Sequence, residues 1–179
     1  FLPRPCLQCD NPPCVEACPV KGTDGATWKE TTGLGAGLVM INYEQCIGCG
    51  ECVAACPYDA RTMDEGAFHG DGTPAVQKYE TMASFEYGRK WPRSGKNLPV
   101  GTARKCHFCV HRLAAGQLPV CITTCIGRAG YFGDENDPQS LIAQMKKANP
   151  VQVLKPAAKP APRVYYVATE KLEVLCGKE

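Results

Sequence analysis

No run of about 18 apolar residues occurs in the 179-residue sequence, so no apolar membrane-spanning helix is expected. Its start shows no basic stretch followed by a short apolar run and a small-residue cleavage site, the pattern of a secretory leader. Charge of one sign is also scarce. Lys and Arg number 20 against 18 Asp and Glu, a net +2, and no long basic block appears. That balance argues against a nucleic-acid partner. An initiating Met is missing too: the sequence opens at Phe1, the start expected of a processed or partial product with a segment ahead of it.

Cysteine, by contrast, is abundant at 13 residues. Secreted disulfide scaffolds reach this density, but mostly in chains under about 80 residues. An odd count would also leave one thiol unpaired. Twelve of the thirteen fall into three sets of four. Cys6, Cys9, Cys14 and Cys18 follow C-x2-C-x4-C-x3-C-P, and Cys46, Cys49, Cys52 and Cys56 follow C-x2-C-x2-C-x3-C-P. Cys106, Cys109, Cys121 and Cys125 follow C-x2-C-x11-C-x3-C. The first two sets lie about 40 residues apart and behave as two copies of one unit.

The second set has the bacterial ferredoxin spacing, in which three cysteines hold one cluster and the fourth ligates the other. Two-residue spacers wrap the backbone around one face of a cubane, while the last cysteine starts a helical turn facing away. A proline after it suits a first helical position, where no N–H is needed. Two copies then exchange fourth ligands. Cys6, Cys9, Cys14 and Cys56 are expected to share one cluster, and Cys46, Cys49, Cys52 and Cys18 a second. Disulfides within C-x-x-C would close small strained loops. Zinc suits paired C-x2-C units, and a zinc ribbon remains open for the third set. It does not account for the repeated C-P endings.

Elsewhere, "ATWKE" and "GLVMINY" around "TTGLGAG" predict a β-hairpin, with Trp28, Leu38, Met40 and Ile41 available to cover a cluster. Residues 59–105 look long and loop-like. Phe85, Tyr87 and Trp91 beside Arg89, Lys90 and Arg93 would form either a docking surface or a lid over the clusters. "DPQSLIAQMKKAN" predicts a helix capped by Asp137 with Pro138 at its first position. "KPAAKPAP" predicts an extended linker, and "RVYYVA" a strand strapping the tail to the body. His107 and His111 flank Cys109 and are expected beside a cluster or on the surface, not as ligands. His69 carries no signal, and Cys176 is expected to be a structural or free thiol. Arg104, Lys105, Arg112 and Arg128 would be solvated surface charge or would raise a cluster's potential.

The ordered set "LPRPCLQCDNPPCVEACPV", "CIGCGECVAACPYDAR" and "RKCHFCVHRLAAGQLPVCITTCIGRAGYFGD" resembles the iron–sulfur electron-transfer (beta) subunits of molybdopterin oxidoreductases. The DMSO reductase, polysulfide reductase and nitrite-reduction-associated ferredoxin types belong there. The resemblance spans Leu2 to Asp137, with a weaker echo in "PRVYYVA". It implies an α+β, loop-rich fold of tandem bacterial ferredoxin-like [4Fe–4S] modules with β-hairpins and short helices. Residues 1–58 would form the module of two crossed motifs, and 59–105 an insertion or docking segment. Residues 106–137 would form the second cluster module, and 138–179 a helix, Pro-rich linker and strand.

The implied activity is non-catalytic electron transfer through a chain of [4Fe–4S] clusters, at least three and four if a segment precedes Phe1. The implied partners are a molybdopterin (Mo or W) catalytic subunit and an integral membrane subunit that handles quinone, most often on the periplasmic face of the cytoplasmic membrane. In the family the outer sets exchange ligands as the inner two do. Cys106, Cys109 and Cys121 would then take their fourth ligand from a set ahead of Phe1, and Cys125 would serve the other outer cluster; otherwise Cys125 closes a third cluster locally. Ile126 stands where proline is common after that cysteine. "TTCIGRAGYFGD" leans toward reductases of sulfur oxyanions and related acceptors. The rival readings are a formate dehydrogenase or hydrogenase electron subunit, a soluble polyferredoxin, a zinc-stabilised binding module, and an enzyme with an open iron in the third set.

Overall fold

The computed structural model describes residues 2–22, 25–66, 82–93, 95–154 and 159–168. Short elements alternate with turns, as a chain with 18 Gly and 15 Pro dictates. Helix α1 (Pro13–Glu16) begins on Pro12 and Pro13, where a missing N–H costs nothing. Helix α2 (Glu51–Ala54) begins after Gly50, whose φ of 79° only glycine adopts cheaply. Between them, β1 (Thr27–Lys29) and β2 (Val39–Ile41) pair antiparallel with Trp28 opposite Met40. This is the predicted hairpin.

One detail of the cysteine turns differs from the sequence expectation. The helical turn precedes the fourth cysteine and carries the third, Cys14 in α1 and Cys52 in α2. The Cys18 and Cys56 amides donate to the Val15 and Val53 carbonyls, at 3.2 and 3.1 Å, and Pro19 and Pro57 then have no N–H to extend the turn. The prolines end these helices rather than begin new ones.

The described residues of the 59–105 segment are more structured than a loop. They supply β3 (Arg61–Met63), β4 (Ser84–Glu86), β5 (Arg89–Trp91) and β6 (Ala103–Lys105). β4 and β5 form a tight hairpin across Tyr87 and Gly88, both at positive φ, as a two-residue turn with the strands' twist requires. β3 pairs antiparallel with β6, setting Arg61 opposite Lys105. Trp91 is buried edge-on against Tyr43 and donates to the Glu86 carbonyl at 3.0 Å, while Phe85 is exposed.

Helices α3 (Val110–Ala114) and α4 (Val120–Thr123) carry the third cysteine set. Helix α5 (Leu141–Ala148) leads to β7 (Val151–Gln152), which pairs with β8 (Tyr166–Val167). Ser140, not Asp137, caps α5, its hydroxyl accepting from the Ala143 amide. Asp137 instead accepts from the Gln139 amide at 2.8 Å, closing a turn one step earlier. The tail does strap back: the Asp10, Asn11 and Arg163 amides bond the Ala161, Pro160 and Leu7 carbonyls at 2.9–3.0 Å. Tyr166 also donates to the Pro3 carbonyl at 2.8 Å.

Among the described residues, most buried apolar side chains fall into three small groups: Cys14, Val39, Cys52 and Ala103; Leu7, Cys9 and Tyr58; Ile41, Tyr43 and Trp91. Such small groups give a chain of this length little hydrophobic stabilisation. In two of them cysteines take the place of aliphatic residues.

Candidate cluster sites

Each C-x2-C turns through a left-handed residue just before its second cysteine: Gln8 (φ 47°), Gly48 (70°) and Phe108 (52°). That conformation curls successive amides around a concave face, the geometry of an anion nest. At Gly48 no side chain would fit, because a Cβ would lie 2.4 Å from the Gly101 carbonyl oxygen. Gln8 is fully buried and joins distant parts of the site. Its amide nitrogen donates to the Cys106 carbonyl and its oxygen accepts from the Val39 amide, both at 2.8 Å.

Two hollows lie between these turns. One is lined by Cys6, Cys9, Cys14 and Cys56. The other is lined by Cys18, Cys46, Cys49 and Cys52. The chain thus gathers the four thiols of each crossed set expected from the spacing. Val39, Pro12, Pro13 and Tyr58 close the first hollow, while Ile41, Ala26 and Ala103 close the second. Of Trp28, Leu38, Met40 and Ile41, it is Ile41 that lines a hollow directly.

All twelve described cysteines are free thiols, so the disulfide alternative finds no bond among the described residues. Nor do any three Cys, His, Asp or Glu side chains among the described residues converge closely enough to hold one ion. A tetrahedral zinc needs four sulfurs at about 2.3 Å from a single point. Thiols spread around a hollow suit a polynuclear group instead. Burial pushes the Cys9 thiol up to about 12, and Cys6, Cys14 and Cys56 add to the effect. Cys14 is raised as well, first by burial, with Arg61 working the other way. Thiolates crowded like this are stable only with a cation among them, so the donor set fits iron–sulfur clusters.

The third set is more open. Cys106 and Cys109 are half-buried, and Cys109 caps α3 in the left-handed region. Cys121 is exposed on α4. Cys106 is raised by burial, with Cys6 and Cys121 among its neighbouring thiols. Cys125 repeats the geometry of Cys56. Its sulfur accepts from the Ala129 amide at 3.4 Å, as Cys56 accepts from Ala60 at the same distance. The preceding residues, Arg128 and Asp59, share a positive φ of 47° and 51°. Ile126, fully exposed, therefore replaces the usual proline without changing the turn.

The charges around the cysteines are only partly where the sequence suggested. Lys105 is buried, held by the Cys106 carbonyl at 3.1 Å, and burial lowers it below an ordinary lysine. Arg104 is paired with Asp64 at 2.7 Å and with Glu86. Arg112 donates to the Leu118 carbonyl at 2.9 Å, and Arg128 is exposed. His107 is buried, lowered to about 4 first by burial and then by Lys105, and its Nδ1 accepts from the Val110 amide. It lies against Tyr87 and His111. His69 and Cys176 lie outside the described residues.

Arg61 was not singled out in the sequence, yet it lines both hollows while only 3 % exposed. Burial disfavours its charge, but Cys14, Cys52 and Cys6 outweigh that and hold it above the usual arginine. The only local signal is its place at the start of β3, five residues after Cys56.

The family described as the 4Fe–4S dicluster domain matches residues 1–70 and 91–135. Similar proteins include a selenate reductase subunit of Mesobacillus selenatarsenatis, 50% identical over 93% of this chain and 54% of that protein. A tetrathionate reductase subunit of Salmonella typhimurium is 38% identical over 95% and 52% of the two chains. The arsenate respiratory reductase iron–sulfur subunit of Shewanella sp. is 34% identical over 93% and 74%. The chain spans about half the length of the first two relatives.

Proposed function

This chain belongs to the 4Fe–4S dicluster family of reductase iron–sulfur subunits, and from that premise we propose that it relays electrons between two partner subunits. Cys6, Cys9, Cys14 and Cys56 hold one [4Fe–4S] cluster, and Cys46, Cys49, Cys52 and Cys18 hold a second. Cys106, Cys109, Cys121 and Cys125 supply ligands to outer clusters. The observation that carries this reading is the pair of hollows, each ringed by four thiols drawn from both crossed motifs.

A bound [4Fe–4S] cluster supplies a one-electron store whose potential follows burial, charge and hydrogen bonds to its sulfurs. The chain's own residues fix where such stores sit. The Gln8, Gly48 and Phe108 turns curl amides toward the sulfurs, and Val39, Ile41, Pro12 and Tyr58 keep water away. With every cysteine of the two hollows committed as a ligand, no iron is left open for substrate, so substrate chemistry belongs elsewhere.

The partners are a molybdenum- or tungsten-pterin catalytic subunit and an integral membrane subunit that exchanges electrons with quinone. No helix among the described residues is long and apolar enough to cross a membrane. In this reading membrane association runs through the partners, and the expected side is the outer face of the cytoplasmic membrane. The names of the relatives support an oxyanion as the acceptor reduced by the catalytic partner.

Elemental analysis of the anaerobically purified complex tests this. About 16 iron atoms with one Mo or W per copy of the chain are expected for four clusters. About 12 would mean three clusters, with Cys125 closing the third locally. Zinc without iron would end the electron-transfer reading.

A further inference from the structure

Arg61 stands where the two hollows meet, and nothing in an ordinary fold explains it. It is buried, and among the described residues it makes no ion pair with a carboxylate. One guanidinium nitrogen, Nη2, donates to the Thr27 hydroxyl at 2.9 Å. That hydroxyl gives its own proton to the Met40 carbonyl at 2.6 Å, so it can only accept from Arg61. The side chain is thereby fixed in orientation by the β1–β2 hairpin. Its remaining nitrogens, Nε and Nη1, are buried with no nitrogen or oxygen partner among the described residues, and the Cys52 side chain faces the guanidinium.

Directly across the β3–β6 ladder sits a second buried cation, Lys105. Like charges opposite each other on paired strands oppose pairing. Buried charges without counter-charges cost more still. The arrangement becomes stable only when negative charge occupies the hollows. The thiols facing Arg61 are Cys14, Cys52 and Cys6, which come from both hollows.

We propose that Arg61 is a shared positioning cation, its guanidinium donating toward the sulfurs of both bound clusters and raising their two reduction potentials together. This rests on the cluster reading above. Each cluster takes up one electron, and no covalent bond changes. The added negative charge is met in either hollow by the same fixed cation. Arginine does not lose its proton in proteins, so the effect is independent of pH. Because one cation serves both hollows, it shifts the two potentials in the same direction.

EPR-monitored redox titration of the anaerobically purified complex tests the assignment, with iron content measured on every sample. In Arg61→Gln, both inner clusters are expected to become harder to reduce, by at least tenfold in the equilibrium constant, which is 59 mV for one electron. Arg61→Lys keeps the charge and is expected to restore most of that shift, which a purely space-filling role would not do. An Arg61→Gln protein with native iron content and one or neither potential moved would overturn the proposal while leaving the cluster reading intact. A native complex without iron would instead overturn the cluster reading itself. If Arg61→Gln fails to load its clusters, the native complex decides. With arginine labelled with ¹⁵N in the guanidinium alone, ENDOR of the reduced protein is expected to show ¹⁵N coupling to both inner clusters. Absence of that coupling overturns the proposal.

Discussion

At the scale of single residues, the cysteines act through which hollow they enter, not through which motif they belong to. Cys18 is the last thiol of the first motif, yet it lines the hollow of Cys46, Cys49 and Cys52. Cys56 makes the reverse crossing. Replacing Cys18 with Ser should therefore damage the second cluster and spare the first, although Cys6, Cys9 and Cys14 are its nearest relatives in sequence. EPR with iron analysis should show the loss of up to about four iron atoms, or a three-iron signal, while the signal of the first cluster persists. Loss of the cluster held by Cys6, Cys9 and Cys14 would mean that the crossing is wrong. The grouping of thiols around the two hollows was legible in the sequence because two- and three-residue spacers fix local geometry whatever the rest of the chain does. Arg61 and Lys105 were not legible. Their burial depends on a strand pairing across more than forty residues, and no local pattern announces it.

At the scale of elements, turn chemistry decided what propensity alone left open. The hairpin was readable because a Gly-rich turn separates two apolar segments, and β1 and β2 pair as that pattern requires. The 59–105 segment gave no such pattern: its strands are three residues long, too short for a period of two to emerge from neighbouring Gly and Pro. At α5 two capping residues stood three apart, and the sequence favoured the wrong one. Asp137 precedes Pro138, which holds the chain extended at that point. Its carboxylate is then used in the turn, and Ser140 takes the cap. Ser140→Ala should cost about 1 kcal/mol of stability, and Asp137→Ala less. Thermal unfolding of the two variants under anaerobic conditions would rank them, and a larger loss in Asp137→Ala would return the cap to Asp137.

At the scale of the whole molecule, the small apolar groups leave much of the assembly to polar ties, and one network of these centres on Asp64. Its side chain is 2 % exposed and accepts from Arg93 at 3.1 Å, Arg104 at 2.7 Å and the Gly66 amide at 2.9 Å. Arg104 continues to Glu86, which accepts from the Tyr43 hydroxyl at 2.6 Å. Strands β4 and β6, the residues just past β3 and β5, and the Tyr43–Trp91 contact are thereby joined. Burial opposes the Asp64 charge, but the two arginines and the amide outweigh it and lower the carboxyl from 3.8 to about 2. A group lowered on folding stabilises the folded chain above its unfolded value, and the contribution disappears as pH falls from about 4 to about 2. Asp64→Asn should thus cost about 2 kcal/mol near neutral pH. The gap between native and variant should stay constant down to about pH 5 and close below about pH 4. Anaerobic urea unfolding across that range measures it directly. A gap undiminished at about pH 3 would show that the carboxylate's charge is not what ties these strands together.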